Sequence, residues 1–128
     1  MNHWTITNLE LRPHEPQILH SSDDARAIAL LLPAGESLGD HEVHERTWLT
    51  VLAGEVEITT GSGAGVTGGC GLVVEFAAGE RRTVSARTDS TIMLLLTPWP
   101  GAGHAGAMTL EQKANAQTNA AEHRARAA

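Results

Sequence analysis

The 128-residue chain carries 9 Lys and Arg against 15 Asp and Glu, a formal net charge of −6 at pH 7. This balance gives no basic surface for phosphate backbones, and three Trp, one Phe and no Tyr provide few platforms for stacked bases, so nucleic acid is not an expected partner. One cysteine excludes an internal disulfide framework, and no apolar run approaches the roughly 18 residues of a membrane span. Because the first residues also lack the blocks of a signal peptide, we expect a cytoplasmic protein without membrane contact.

Short β-prone runs bounded by Gly, Pro, Asp and Ser recur along the first 97 residues, a pattern typical of an antiparallel sandwich or barrel. The predicted strands are 4–8, 17–20, 26–33, 47–52, 55–60, 72–76, 82–87 and 91–97. We expect this all-β domain to span residues 1–108.

The clearest unit is the hairpin "TWLTVLAGEVEITT", in which Gly54 completes the turn. Val56 and Ile58 alternate with Glu55 and Glu57, which predicts one buried and one wet face. The run 91–97 is apolar without a break, as in a strand that is buried on both faces.

Two segments give no chemistry. The glycines of "GSGAGVTGGCG", residues 61–71, match the dinucleotide fingerprint in spacing, but they precede a strand where that fingerprint needs a helix N-terminus. We therefore expect a surface loop. Residues 109–128 are Ala-rich, begin with a weak capping box and predict an exposed helical extension.

Two blocks of glycine-spaced residues resemble the two motifs of the cupin family. In the first block, the matching positions in "PAGESLGDHEVHERTWLTVLAG" are Gly35, His41, Val43, Thr47 and Gly54. In the second, the matching positions in "GLVVEFAAGERRTVSA" are Gly71, Ala77, Gly79, Arg82 and Ala86. The resemblance implies a double-stranded β-helix, or jelly-roll barrel, whose two motifs face one cavity.

In metal-binding cupins the first motif supplies two histidines and a glutamate, and the second supplies another histidine. Carried over by position, those places hold His41, Val43, Thr47 and Arg82. Valine has no donor atom, threonine is a weak ligand, and arginine remains a cation. The expectation is therefore a protein without a metal cofactor.

A rearranged divalent-metal site is the alternative. Side chains alternate along an extended strand, so His41 and Glu45 would share one face while His44 points to the other. A bulge between the histidines would let His41, His44 and Glu45 form a cluster at the rim, and the protein would then be a metal-dependent enzyme such as a dioxygenase or cyclase.

If the cupin register holds, the expected ligand-binding residues are Val43, Thr47, Leu49, Val51, Phe76 and Arg82. Such a cavity suits a small molecule with a carboxylate, enolate or phosphate held by Arg82. His41 would be the general acid or base for isomerisation, cyclisation or elimination. Two plainer alternatives remain open: Arg82 pairs with Glu75 or Glu80, and His41 is a solvated loop residue.

A non-enzymatic role, as a ligand sensor or a dimerisation module, is a third class. Trp48 alternates with the predicted interior residues and should face outward. With Leu52, and with Trp4 or Trp99, it would form the anchor of a homodimer. Packing between the two sheets explains Trp48 equally well.

Overall fold

The computed structural model describes residues 1–41 and 43–101, without the side chains of Asp40 and His41. The predicted helical extension over 109–128 and the end of the predicted domain over 102–108 lie outside these residues.

The described residues form nine strands and one short 3₁₀ helix, Ile6–Asn8. The strands are β1 Gln17–Ser21, β2 Arg26–Leu32, β3 Ser37–His41, β4 Arg46–Ala53, β5 Glu55–Thr60, β6 Gly65–Gly69, β7 Val73–Phe76, β8 Arg82–Ala86 and β9 Ser90–Thr97. Seven of the eight predicted strands are confirmed.

The predicted strand over 4–8 is wrong. Its backbone closes hydrogen bonds locally, because the Asn8 amide donates to the Thr5 carbonyl at 3.0 Å and the Leu9 amide donates to the Ile6 carbonyl at 3.1 Å. A β-prone run becomes a strand only where a neighbouring strand completes its ladder.

Two strands were missed by the sequence analysis. The predicted loop over 61–71 contains β6, which pairs antiparallel with β5 and forms one edge of its sheet. β3 pairs with β8, about 45 residues further along the chain. Neither strand shows a strong local pattern, since an edge strand tolerates glycine and long-range pairing leaves little local signal.

The nine strands hydrogen-bond into two separate sheets. The five-stranded sheet has the order β1-β2-β9-β4-β7, and the four-stranded sheet has the order β3-β8-β5-β6. In this part of the chain the predicted jelly-roll barrel is thus a sandwich of two sheets. Within the described residues, no helix has the length and hydropathy needed to cross a bilayer.

Alternation along the strands decides what enters the space between the sheets. Val56 and Ile58 of β5 are buried, which confirms the predicted hairpin with one wet face. The central strand β9 buries Ile92 and Leu96, but Met93 and Leu95 on its other face are only half-buried. The prediction that this strand is buried on both faces is therefore wrong.

The opposite face of the five-stranded sheet carries apolar side chains that remain accessible. Trp48 is 40% exposed, as predicted for a residue that faces outward, and Val73 on the neighbouring strand is 53% exposed. The register pairs Trp48 with Leu95 on its other side. A homodimer through this face stays a prediction.

Four motif glycines have the left-handed backbone that glycine adopts more easily than other residues. The φ angles are +82° at Gly35, +83° at Gly54, +93° at Gly71 and +80° at Gly79. Gly54 has a second constraint, because an added Cβ would lie 2.7 Å from Ser90 Cα and closer still to the Asp89 carbonyl oxygen. The motif spacing thus marks where the chain must turn.

Gly54→Ala and Gly71→Ala separate backbone strain from crowding. An added Cβ at Gly71 meets no atom within 4 Å, so this variant should lose only the left-handed penalty, about 1 kcal/mol of unfolding free energy. Gly54→Ala should lose about 3 kcal/mol, because its Cβ also displaces the β9 backbone. Urea denaturation measures both, and equal losses would contradict the crowding argument.

Candidate functional site

A cavity of about 380 Å³ lies between the two sheets. Its lining comes from both sheets and from the segments before β4 and after β9: Ile28, Leu38, Val43, His44, Glu45, Leu49, Arg82, Val84, Leu94, Leu96 and Trp99. Most of these side chains are apolar, so the cavity offers an apolar wall with a few polar groups.

The strand register places this cavity at one end of the interior. Along β8 the inward residues run from Ala86 in the packed core, through Val84, to Arg82 in the cavity lining. On β2, Leu30 belongs to the core and Ile28 to the lining. The core cluster therefore occupies one part of the interior, and the cavity lies at the end marked by Arg82 and Ile28.

Arg82 is the buried cation of this cavity. It begins β8 and is only 4% exposed, and its guanidinium carbon lies 4.5 Å from the centroid of the Phe76 ring. Among the described residues, Nη1 has no hydrogen-bond acceptor. Burial lowers the pKa of Arg82 below its ordinary value, and the nearby Glu80 carboxylate partly opposes this.

The alternative in which Arg82 pairs with Glu75 does not hold, because Glu75 Oε2 binds Arg46 Nη1 at 2.8 Å and Arg82 belongs to no salt bridge among the described residues. Glu80 acts on Arg82 through its charge, while its Oε1 accepts a hydrogen bond from the Ala77 amide at 3.0 Å. The salt bridges among the described residues are exposed pairs, and Arg82 belongs to none of them. Within this part of the chain, Arg82 is thus incompletely neutralised.

Glu45 is a second buried ionisable group in the lining. It is 1% exposed, and its Oε2 accepts a hydrogen bond from the Gly101 amide at 2.7 Å. A Cβ at Gly101 would lie 2.9 Å from the same oxygen and 2.6 Å from the His44 carbonyl oxygen, so glycine permits this close approach. The sequence analysis considered Glu45 only as a metal ligand, because nothing local connects it with a residue 56 positions away.

Trp99 forms part of the cavity lining beyond the end of β9. The guanidinium of Arg26 stacks on its ring, with 3.9 Å between Cζ and the ring centroid. The Arg26 Nε donates to Ser21 Oγ at 3.1 Å, which anchors this stack to β1. Trp99 therefore contributes to the cavity, whereas the sequence analysis considered it for a dimer anchor.

The structure gathers some predicted ligand-binding residues and separates others. Val43, Leu49 and Arg82 line the cavity. Thr47 and Val51 are fully buried but lie outside the lining. Phe76 is also absent from this lining, although it supports the Arg82 guanidinium.

The structure describes the two candidate histidines, His41 and His44, to different extents. The antiparallel register of β3 and β8 pairs the backbone of His41 with that of Arg82, so the two motifs meet as the resemblance implies. The His41 side chain lies outside the described atoms, and its catalytic role stays a prediction. His44 is exposed yet lines the cavity together with Glu45, in a segment between β3 and β4 that is not strand. Simple strand alternation therefore does not hold there.

Comparisons with known proteins find the fold and little else. No family model matches the sequence. No curated protein sequence matches it either. Solved structures do match: an RmlC-like cupin protein from Desulfovibrio desulfuricans has a TM-score of 0.67 and 20% identity over 77% of this chain and 96% of its own. A Klebsiella pneumoniae protein with a double-stranded β-helix domain has a TM-score of 0.68 and 17% identity over 80% and 94%.

A third match is a cupin superfamily protein from Desulfitobacterium hafniense, with a TM-score of 0.64 and 18% identity over 72% of this chain and 85% of its own. The chain has the cupin fold. At these identities the likeness defines the fold and leaves the activity open.

The donor set does not fit the metal of metal-binding cupins. At the four inherited positions of this cupin fold, Val43 has no donor, the Thr47 hydroxyl bonds the Glu45 carbonyl oxygen at 3.3 Å, and Arg82 brings a positive charge. Among the described side chains, no three His, Cys, Asp or Glu come together. The alternative cluster requires the His41 side chain and stays a prediction.

Arg82→Met tests whether the arginine is structural. Methionine keeps the length and apolar stem but removes a buried charge with an unpaired donor, while the contact with Phe76 is partly retained. We expect the unfolding free energy without ligand to rise by about 1 kcal/mol, measured by urea denaturation. The matched control Arg87→Met removes an exposed cation and should change it by less than about 0.5 kcal/mol. A loss of about 2 kcal/mol at Arg82 would assign it to the structural framework.

Proposed function

We propose that this protein is a metal-independent cupin-fold protein that binds a small organic anion in the cavity between its sheets. The single observation that carries the proposal is the buried Arg82, whose Nη1 has no acceptor among the described residues. A buried donor without a partner costs about 1–3 kcal/mol, and more when it is charged. An anionic ligand group would supply the missing acceptor.

The cavity dimensions support a small ligand with an apolar body. A volume of about 380 Å³ is at the lower end of the roughly 300–1,000 Å³ range of ligand pockets. Leu38, Leu49 and Leu94 contribute to an apolar wall, and Arg82 supplies the donors. A carboxylate fits the planar guanidinium in a bidentate arrangement, which favours a carboxylic acid or a phosphate ester with a short hydrocarbon part.

The contact of the Arg82 guanidinium with the Phe76 ring also supports a role for Arg82 in binding. Stacking on the Phe76 ring restricts the guanidinium, so less side-chain entropy remains to be lost when an anion binds. Phe76 is itself 1% exposed and packed in the core, and it forms part of the hydrogen-bonded pairing of β7 with β4. The arginine is held by the fold before any ligand arrives.

Proton transfer by His41 is the catalytic part of the proposal. The backbone pairing of His41 with Arg82 supports it, because a ligand anion held by Arg82 would be anchored near this position. An imidazole titrates near neutral pH and can serve as acid or base. Isomerisation, cyclisation and elimination share a proton abstraction of this kind.

A cytoplasmic location and a homodimer are retained as proposals from the sequence. The exposed apolar face around Trp48 and Val73 supports a dimer, since exposed apolar patches are typical of association surfaces. Neither is needed for ligand binding in the cavity.

Hexanoate tests anion binding. Bound ligand stabilises the folded state by RT ln(1 + [L]/Kd), so hexanoate at about 100 times its dissociation constant should add about 2.7 kcal/mol to the unfolding free energy. Calorimetric titration should give a dissociation constant that Arg82→Met weakens at least about 100-fold, while the surface control Arg87→Met binds normally. Inorganic phosphate, which lacks an apolar body, should bind more weakly than hexanoate. Full hexanoate affinity in Arg82→Met would refute the assignment.

His41→Ala tests proton transfer separately from binding. In D₂O, the protein should catalyse exchange of the C3 hydrogens of 2-oxohexanoate, a carboxylic acid that enolises at that carbon, and NMR follows the loss of signal. His41→Ala should lower the exchange rate about 100-fold, while His20→Ala, on the exposed strand β1, should not. Binding without exchange in the unsubstituted protein would favour a sensor.

A further inference from the structure

Two opposite charges line the same cavity without forming a salt bridge with each other. Arg82 enters from β8 of the four-stranded sheet, and Glu45 lies directly before β4 of the five-stranded sheet. Neither belongs to a salt bridge among the described residues. The cavity thus has a positive and a negative group that do not neutralise each other directly.

Glu45 is fixed, but its hydrogen-bonding capacity is not exhausted. A carboxylate offers about four lone-pair sites, and the hydrogen bond from the Gly101 amide uses one of them on Oε2. At 1% exposure the Glu45 side chain has little contact with bulk water, so a donor group on a ligand in the cavity would meet little competition from solvent. Such a donor would occupy one of the remaining lone-pair sites.

An anion without a donor group would interact favourably with only one of the two charged residues. It would neutralise Arg82, but it would place a second negative charge in a cavity that already contains the Glu45 carboxylate. A molecule with an acid group at one end and a hydrogen-bond donor at the other could bind Arg82 and Glu45 at the same time. The apolar side chains of the lining, such as Leu49 and Leu94, would then contact its hydrocarbon middle.

We infer that the cavity selects a bifunctional ligand, with an acid group bound by Arg82 and an amine or hydroxyl group bound by Glu45. Glu45 is then the specificity-determining residue of the site. This inference rests on the proposed function, because it requires the acid group to be held by Arg82.

The experiment uses calorimetric titration to compare the affinities of hexanoate, 6-hydroxyhexanoate, 6-aminohexanoate and hexylamine. The corresponding four-carbon compounds are measured in the same way. The unsubstituted protein should bind an amino acid or hydroxy acid at least about tenfold more tightly than the alkanoate of the same length, since the added donor meets Glu45. The comparison of 6-aminohexanoate with 6-hydroxyhexanoate distinguishes a cationic donor from a neutral hydroxyl. This preference requires no variant, so it tests the inference even if a substitution impairs folding.

Glu45→Gln gives the sharper comparison. Glutamine keeps a carbonyl oxygen for the Gly101 amide but removes the charge. Binding of 6-aminohexanoate should weaken about tenfold, and hexanoate should bind about threefold more tightly because the repulsion is gone. Opposite changes for the two probes distinguish a specificity role from a general structural effect. Glu55→Gln, an exposed carboxylate on β5, is the matched control and should alter neither affinity.

The outcomes separate the two levels of the argument. If hexanoate binds best and Glu45→Gln moves all probes in the same direction, the bifunctional ligand is refuted while Arg82 keeps its role. If Arg82→Met leaves the binding of every acid unchanged, the proposed function fails first. If no probe of either length binds, both fail for ligands of this size.

Discussion

The buried guanidinium of Arg82 is the feature on which the functional argument depends. Its stem is part of the interior and its ring contact with Phe76 holds it in place, yet one of its donors finds no acceptor in the described part of the chain. Buried polar groups are almost always paired, so an unpaired charged donor in a cavity lining is an unusual observation. A ligand partner and a local destabilisation are two explanations for such a donor, and they predict different behaviour on substitution.

The residues that line the cavity occupy the same inward-facing positions of the strands as the core residues, but they lie nearer one end of the sandwich. At one end, the inward positions Val84 and Ala86 of β8 and Ile92 of β9 are apolar and belong to the core between the two sheets. Toward the other end, the inward positions become Arg82 and Leu96, and the packing opens. A polar site placed there is shielded from water by the sheets, which strengthens its electrostatic interactions.

The site also shows why a shared fold does not transfer a shared chemistry. The glycines of the two motifs lie at turns, with left-handed φ angles at Gly35, Gly54, Gly71 and Gly79 that glycine adopts at least cost. The positions that the resemblance assigns to metal ligands hold His41, Val43, Thr47 and Arg82 here. An arginine thus occupies one of them and brings a positive charge into the cavity lining.

The sequence by itself determined the all-β class, most of the strands, the outward position of Trp48 and the positions of the two glycine-rich motifs. These follow from local alternation, from glycine at turns and from motif spacing, all of which are written in neighbouring residues. Only the tertiary structure decided that Phe76 supports Arg82, that Trp99 closes part of the cavity and that Gly101 binds Glu45. Those contacts join residues that are distant along the chain, and their existence depends on how two sheets pack and where packing stops. The strands β3 and β6 belong with them, because their partners, not their own composition, make them strands.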